Sequence, residues 1–341
     1  MTPALHSSST VATADALPVL PDERVNFPVS PSESGTFGTA NPDVASRLAD
    51  YRELFKVRVT TMVVITAWAG FYLGSMRSGI SSVQPGLIET LVGIGFVSAG
   101  SSALNQALER KSDAKMIRTS DRPLPTGRIG LAHGILLGLL AIAAGAIWLT
   151  LRAGLLTGTL TLLTSFTYVA VYTPLKRHTP LATFIGAFPG AMPPLIGWVA
   201  ARGRIEWPAV ALFAVLFVWQ FPHFMAIAWL YREDYGRAGI RMLPVVQPDG
   251  WSTVVEALVY AVLMIPVSLL PVYLHMAGRI YGVAAVLLGI FYLAYTIRFS
   301  RITKAHGVIE SRRYARDLLK VSVIYLPLLL TAMMLNATGK R

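Results

Sequence analysis

The chain has 341 residues, of which 54% are hydrophobic and only 14% charged. This composition is too apolar for an ordinary soluble protein. There is no cysteine, so disulfides, thiolate metal sites and cysteine nucleophiles are excluded. A net charge of +12 would suggest nucleic acid in a soluble chain. In a membrane protein the preference of Lys and Arg for the cytoplasmic side explains it, and we expect no nucleic-acid partner.

The N-terminal segment differs from the rest of the chain. Residues 1–45 are rich in Ser, Thr, Pro and Ala, and we predict a disordered cytoplasmic tail. They show neither the apolar core of a secretory signal nor the composition of a mitochondrial transit peptide. Residues 46–58 carry several basic residues and predict an amphipathic helix on the membrane surface. We assign 46–341 to one transmembrane domain.

Long apolar segments dominate the remainder of the sequence. Several run eighteen residues or more with hardly a charge, which is long enough to cross a bilayer as a helix. The predicted fold class is therefore all-α, a polytopic membrane protein with about nine transmembrane helices. The predicted spans are 59–76, 86–104, 129–150, 154–173, 181–201, 208–230, 251–274, 279–299 and 318–336.

The basic residues predict the topology of these spans. Most Lys and Arg lie on the side of the N-terminus, together with the three longest loops, 105–128, 231–250 and 300–317. Because positive charge accumulates in cytoplasmic loops, we place this side in the cytoplasm. Binding and catalytic residues occur preferentially on loops, so the functional site should lie on the cytoplasmic face.

The stretch NQALERKSDAKMIRTSDRPLPTG, residues 105–127, follows the second span. Asn105, Glu109 and Asp113 recur every four residues, so on a helix they share one face. One interpretation is a solvated helix end balanced by Arg110 and Lys111. The other is a set of oxygen ligands for Mg²⁺, which takes carboxylates together with substrate phosphate oxygens.

Basic residues near this motif could contact the same phosphate. Arg118 and Arg122 carry planar guanidinium groups suited to phosphate, and the prolines after them end the helix. Lys176 lies in another cytoplasmic loop, YTPLKRHTP. It either contacts phosphate or simply anchors that loop at the membrane surface.

A second acidic pair follows the sixth span. Glu233 and Asp234 stand at its cytoplasmic end, four spans after the first motif. This spacing suggests two four-helix halves that present carboxylates at the same depth, with a Mg²⁺-diphosphate between them. A solvated charge pair in a loop is the simpler alternative.

His223 lies within the sixth span, about 16 Å deeper than Asp234 if the helix is continuous. A polar residue at that depth is a functional candidate, although a hydrogen bond to a neighbouring helix explains it equally well. Pro222 predicts a kink there, and Pro193 and Pro194 predict an interruption of the fifth span.

Three segments together resemble the UbiA superfamily of intramembrane prenyltransferases: the 105–127 stretch, YTPLKRHTPLATFIGAFPGAMPPLIGW and WQFPHFMAIAWLYREDYGRAGIRMLP. The resemblance covers about residues 55–320. The superfamily's first motif is Asn-x3-Asp-x3-Asp, and here Asn105 and Asp113 match while position 109 is Glu. The second motif is reduced to Glu233, Asp234 and Tyr235, which resembles the branch that farnesylates haem.

This resemblance implies a nine-helix bundle in a bacterial inner membrane, with a cytoplasmic active site. The implied reaction transfers farnesyl from farnesyl diphosphate to a vinyl group of haem B, with water, giving haem O and diphosphate. Membrane lipid and a haem A synthase are the expected partners. The implied Mg²⁺ ligands are Asn105, Glu109, Asp113 and Asp234, the residues for diphosphate are Arg118, Arg122 and Lys176, and the residue for haem is His223.

Two other functions fit the same sequence less well. Another member of the superfamily would use a quinone precursor or a chlorophyll-type acceptor. A transporter or channel would usually carry charged residues near the middle of several spans, whereas here the charges gather at one face of the membrane.

Overall fold

The structure, a computed structural model, describes residues 44–77, 85–305 and 307–338. The predicted disordered tail lies outside the described residues up to residue 43. Within the described ranges the chain is helical and contains no β-strand. The helices are α1 Val44–Leu54, α2 Val57–Arg77, α3 Pro85–Asp113, α4 Leu131–Ala153, α5 Leu155–Phe166, α6 Thr173–Leu175, α7 Ala182–Arg202, α8 Trp207–Leu230, α9 Arg232–Arg237, α10 Leu243–Val246, α11 Trp251–Tyr273, α12 Arg279–Phe299 and α13 Val308–Leu335.

Nine segments of the described chain are long and apolar enough to cross a membrane, which confirms the predicted number. Two of the loops predicted to be cytoplasmic are shorter than predicted. Helix α3 continues to Asp113 instead of ending at residue 104, and α13 begins at Val308 instead of 318. The hydropathy of a segment marks where it leaves the apolar layer, but a helix whose polar residues find partners continues beyond that point.

The prolines do not break the helices that contain them. Helix α7 is continuous through Pro189, Pro193 and Pro194, and α8 is continuous through Pro222. The predicted interruption of the fifth span is therefore wrong. The irregular span is the fourth, where a π-helical segment, Thr167–Tyr172, separates α5 from α6.

Small residues allow α2 and α7 to pack with their backbones in contact. A Cβ atom on Gly70 would collide with the main chain of Pro194, and one on Gly197 would collide with the main chain of Ala67. Such close approach of glycine-containing helices is typical of membrane proteins. It fixes the relative position of two neighbouring helices that both line the site.

Helix α1 is held against the C-terminal end of α3. Leu54 is fully buried beside Leu124 and Ile129, and the Gln106 side chain donates hydrogen bonds to the carbonyls of Glu53 and Leu54 at 2.7 and 2.9 Å. The predicted amphipathic helix over 46–58 is thus observed over Val44–Leu54. The turn that follows it is fixed next to α3.

Candidate active site

A cavity of about 470 Å³ lies between α2, α3, α5, α7 and α8. Its lining changes character along α3, from aliphatic side chains through hydroxyl groups to an amide and two carboxylates. At 1.5 Å per residue, the lining part of α3 is about 28 Å long. The cavity is thus apolar at one end and charged at the other, next to the C-terminal end of α3. The lining residues of α3 are Ile94, Val97, Ser98, Ser101, Ser102, Asn105, Glu109 and Asp113.

The three residues of the first motif are brought together at the charged end. Asn105, Glu109 and Asp113 are all buried. The Lys56 ammonium donates a hydrogen bond to Oδ1 of Asn105 at 2.7 Å, and Nδ2 of Asn105 donates to Oγ1 of Thr173 at 3.0 Å. The shared face predicted from the spacing therefore points into the cavity.

Cations from other parts of the chain balance the two carboxylates. Lys176 forms an ion pair with Glu109, and Arg122 Nη1 donates to Oδ2 of Asp113 at 2.9 Å. Arg110 and Lys111, the partners expected for a solvated helix end, are exposed instead. Residues that are distant in the sequence thus converge to form one polar site.

The charged end carries more positive than negative charge. Arg118 lines it without an ion-pair partner among the residues that the structure describes, and its guanidinium lies over the Tyr231 ring at 4.5 Å. Four cations face two carboxylates, so the cavity favours an anion. The six residues are Lys56, Arg118, Arg122, Lys176, Glu109 and Asp113.

Lys56 is the functional candidate that the sequence did not reveal. It lies in the turn between α1 and α2, with a φ of 43°. Burial lowers the pKa of Lys56 to about 8; Arg122 also lowers it, whereas Glu109 opposes the shift. In the sequence Lys56 looked like one of several basic residues of a surface helix, and nothing in its spacing marked it out.

The residues present fit a divalent metal ion. Oδ1 of Asp113 is buried and has no hydrogen-bond partner, and carboxylate and amide oxygens are the donors that Mg²⁺ prefers. No group of three or more His, Asp or Glu residues gathers within the described chain. A Mg²⁺ ion here would therefore be coordinated partly by Asp113, Glu109 or Asn105 and partly by the oxygens of a bound anion.

Two tyrosines of the π-helical segment form part of the cavity wall. The rings of Tyr168 and Tyr172 stack with centroids 5.8 Å apart, and the Lys176 ammonium lies 5.8 Å from the Tyr172 ring. π-Helical turns often occur at functional sites, because the extra residue reorients the side chains around it. Here this segment carries both rings to the cavity.

Asp234 is not brought into this cavity. It lies on the short helix α9, accepts a hydrogen bond from the Ile117 amide at 3.2 Å and pairs with Arg237. It faces a second cavity, together with Glu233. Asp234 therefore lines a different cavity from Asn105, Glu109 and Asp113, although Tyr235, the next residue of α9, lines the active-site cavity.

His223 lines neither cavity. Its Nδ1 lies 2.8 Å from Oγ of Ser322 on α13, and its ring stacks on Trp219 with centroids 4.9 Å apart. Gln220 and Phe224 of the same helix do line the active-site cavity. Neighbouring positions on a helix point about 100° apart, so His223 faces α13. A haem contact by His223 stays a prediction, and the hydrogen bond to a neighbouring helix is the alternative observed.

Comparison with known sequences decides the family. The model of the UbiA prenyltransferase family matches residues 63–312. The chain belongs to the UbiA prenyltransferase family. The site described above thus lies in a membrane-bound UbiA prenyltransferase with multiple spans.

Relatives of this UbiA prenyltransferase carry more specific names. A protein of Koribacter versatilis (strain Ellin345) named protoheme IX farnesyltransferase is 52% identical over 297 residues, covering 87% of this chain and 96% of the relative. A protein of Solibacter usitatus (strain Ellin6076) with the same name is 41% identical over 303 residues, covering 86% and 100%.

Solved structures agree on the fold. A structure of digeranylgeranylglyceryl phosphate synthase matches with a TM-score of 0.68 at 20% identity, covering 85% of this chain and 98% of its own. A UbiA homologue from Archaeoglobus fulgidus bound to GPP and Mg²⁺ matches with a TM-score of 0.58 at 15% identity, covering 83% and 99%. At these identities the comparison shows the shared helical architecture alone.

Proposed function

We propose that this UbiA prenyltransferase transfers a farnesyl group from farnesyl diphosphate to a vinyl group of haem B. The products are haem O and diphosphate. The names of the relatives at 52% and 41% identity support the donor and the acceptor. The length of sequence shared, more than four fifths of this chain in each case, makes the same substrates the best-supported choice.

The main structural support for this proposal is the order of side chains along α3. A prenyl diphosphate has an apolar chain and a charged head, and the cavity has an aliphatic wall and a charged end in the same order. The aliphatic part includes Val63 of α2 and Pro193 of α7, while the charged part holds the excess of cations. The head of the donor would therefore lie at the cytoplasmic end of α3, with its chain between the helices.

Each polar residue at the charged end has a role toward the diphosphate. Arg122 and Arg118 offer planar guanidinium groups that bind phosphate oxygens in pairs, and Lys176 and Lys56 offer single charges. Asn105, Glu109 and Asp113 would hold Mg²⁺, and Asp234, which faces the second cavity, is left out of this set. When bound, Mg²⁺ neutralises charge on the leaving group.

The reaction breaks the bond between C1 of the farnesyl unit and the diphosphate oxygen, which leaves with the electron pair. The resulting allylic cation is attacked by the electrons of the haem vinyl group, and the new bond joins the vinyl carbon to C1. Water then adds to the cation on the haem side and loses a proton. Tyr168 and Tyr172 present aromatic rings, whose faces attract cations, and the aliphatic wall excludes water until the vinyl group has reacted.

The distribution of Lys and Arg supports an active site on the cytoplasmic side of the membrane, and the organisms of the relatives favour a bacterial inner membrane. Haem O would then be released toward the membrane, where a haem A synthase is the expected next enzyme. A UbiA enzyme acting on a quinone precursor or a chlorophyll-type acceptor would need the same charged end, so the acceptor has to be tested directly.

Diphosphate release tests the proposal with purified protein. We expect release from farnesyl diphosphate to require haem B and Mg²⁺ together, with Asp113→Asn as the inactive control. Equal release without haem, or release stimulated by an aromatic quinone precursor instead of haem, would refute the haem assignment.

A further inference from the structure

A second cavity, of about 450 Å³, adjoins the active site on the side of α9 and the beginning of α13. Its polar lining consists of arginines and acidic residues from three separate segments of the chain. Four guanidinium groups face two carboxylates, so this cavity also carries an excess of positive charge. These residues are Arg118, Arg237, Arg312, Arg316, Glu233 and Asp234.

The internal ion pairs leave part of this positive charge free. Arg237 pairs with Asp234, and Arg312 Nη2 donates to Oε2 of Glu233 at 2.9 Å. Nε of Arg312 is nevertheless buried without a hydrogen-bond partner. Neither Arg118 nor Arg316 forms an ion pair within the described part of the chain; the only polar contact of Arg316 is a long one, 3.5 Å, to the Arg312 carbonyl. The guanidinium group of Arg316 and the Nε–H of Arg312 are thus available to an anionic ligand, while Arg118 is shared with the active-site cavity.

The second cavity and the active site are neighbours. Arg118 lines both of them. Ile227 and Ala228 of α8 line the active site, whereas Leu230, the last residue of α8, and Tyr231 after it line the second cavity. A ligand bound across this boundary would have its apolar part toward the active site and its anionic part among the arginines.

We propose that the second cavity binds the propionate carboxylates of haem B and so directs its vinyl edge toward the farnesyl donor. This inference rests on the proposed function. Haem B carries two propionates on one edge of the macrocycle and two vinyl groups on the other. Guanidinium groups are well suited to carboxylates because they offer two parallel N–H donors. Arg312 and Arg316 are therefore positioning residues for the acceptor, and they do not contact the reacting atoms.

The test compares haem B with its dimethyl ester, in which both propionates are neutral. Binding is measured by absorption titration without farnesyl diphosphate, so turnover is not needed. We expect the unmodified enzyme to bind the free acid about tenfold more tightly than the ester, the size expected of a charge-assisted hydrogen bond. Arg312→Gln and Arg316→Gln should lose most of this preference. Arg313→Gln, on the exposed side of the same helix, should keep it.

Several results would overturn the inference. It fails if the unmodified enzyme binds the two haems equally, or if Arg316→Gln weakens both to the same extent. It also fails if the variants lose affinity for inorganic diphosphate or for phosphatidylglycerol vesicles while the preference for the free acid persists. A different result would refute the proposed function alone. If the enzyme shows the arginine-dependent preference but makes no haem O from farnesyl diphosphate, the propionate site stands and the proposed reaction is wrong.

Discussion

The charge of Lys56 should make the binding of farnesyl diphosphate depend on pH. Burial, with help from Arg122, lowers the pKa of this ammonium to about 8 in the ligand-free enzyme. A bound diphosphate stabilises the protonated form, so the pKa rises on binding. Affinity is therefore highest well below pH 8 and decreases as the pH rises through and above that value.

The size of the effect follows from the same pKa. At pH 9, one unit above it, only about one Lys56 in eleven is protonated in the free enzyme. The KM for farnesyl diphosphate should therefore be about tenfold higher at pH 9 than at pH 7. Lys56→Arg should give an almost flat profile, because a guanidinium keeps its charge throughout this range.

The assay is the steady-state KM for farnesyl diphosphate at saturating haem B, measured across this pH range for both proteins. The ionisation of the diphosphate itself acts equally on both and cancels in the comparison. The reasoning is refuted if KM of the unmodified enzyme does not change with pH. It is also refuted if Lys56→Arg shows the same rise, since another group would then be titrating.

Other substitutions separate catalytic from structural roles. Asp113→Asn removes a buried carboxylate charge and the shorter of the two ion pairs of Arg122, which keeps Glu53 at 3.4 Å. The kcat should therefore fall about 10²- to 10³-fold with the fold intact, and near-normal diphosphate release at limiting Mg²⁺ would contradict this. Arg122→Lys should lower kcat/KM about tenfold because a single charge cannot replace the two-point guanidinium contact. Unchanged kinetics would mean that Arg122 only contributes positive charge to its side of the membrane. His223→Ala should lower the melting temperature by removing the contacts with Ser322 and Trp219 while haem affinity in a titration stays normal; weaker haem binding with an unchanged melting curve would restore His223 as a haem contact.

Features that depend on local periodicity could be predicted from the sequence. The nine spans follow from apolar length alone. Asn105, Glu109 and Asp113 share a face because four residues are close to one helical turn, and the structure shows that face in the cavity. The loop topology placed Arg118 and Lys176 only on the same face of the membrane, and their convergence on one phosphate was implied by the resemblance.

Features that depend on the path of the chain between helices could not be predicted. Lys56 reaches Asn105 because α1 ends in a turn with a positive φ. Asp234 lines the second cavity and Tyr235 the active-site cavity, a division that depends on how the short helix α9 follows α8. The orientation of His223 depends on where α13 packs against α8, and a single sequence does not contain that information.

The central claim is that the acceptor is haem B, and the haems of a cell that expresses the protein test it most directly. Haem is extracted from a bacterial strain that makes haem B but no haem O, with and without expression of this chain, and analysed by mass spectrometry. The account predicts a new species with the mass of haem O that requires expression and is absent with Asp113→Asn. Unmodified haem B alone, in cells where the protein is folded and inserted, would contradict it.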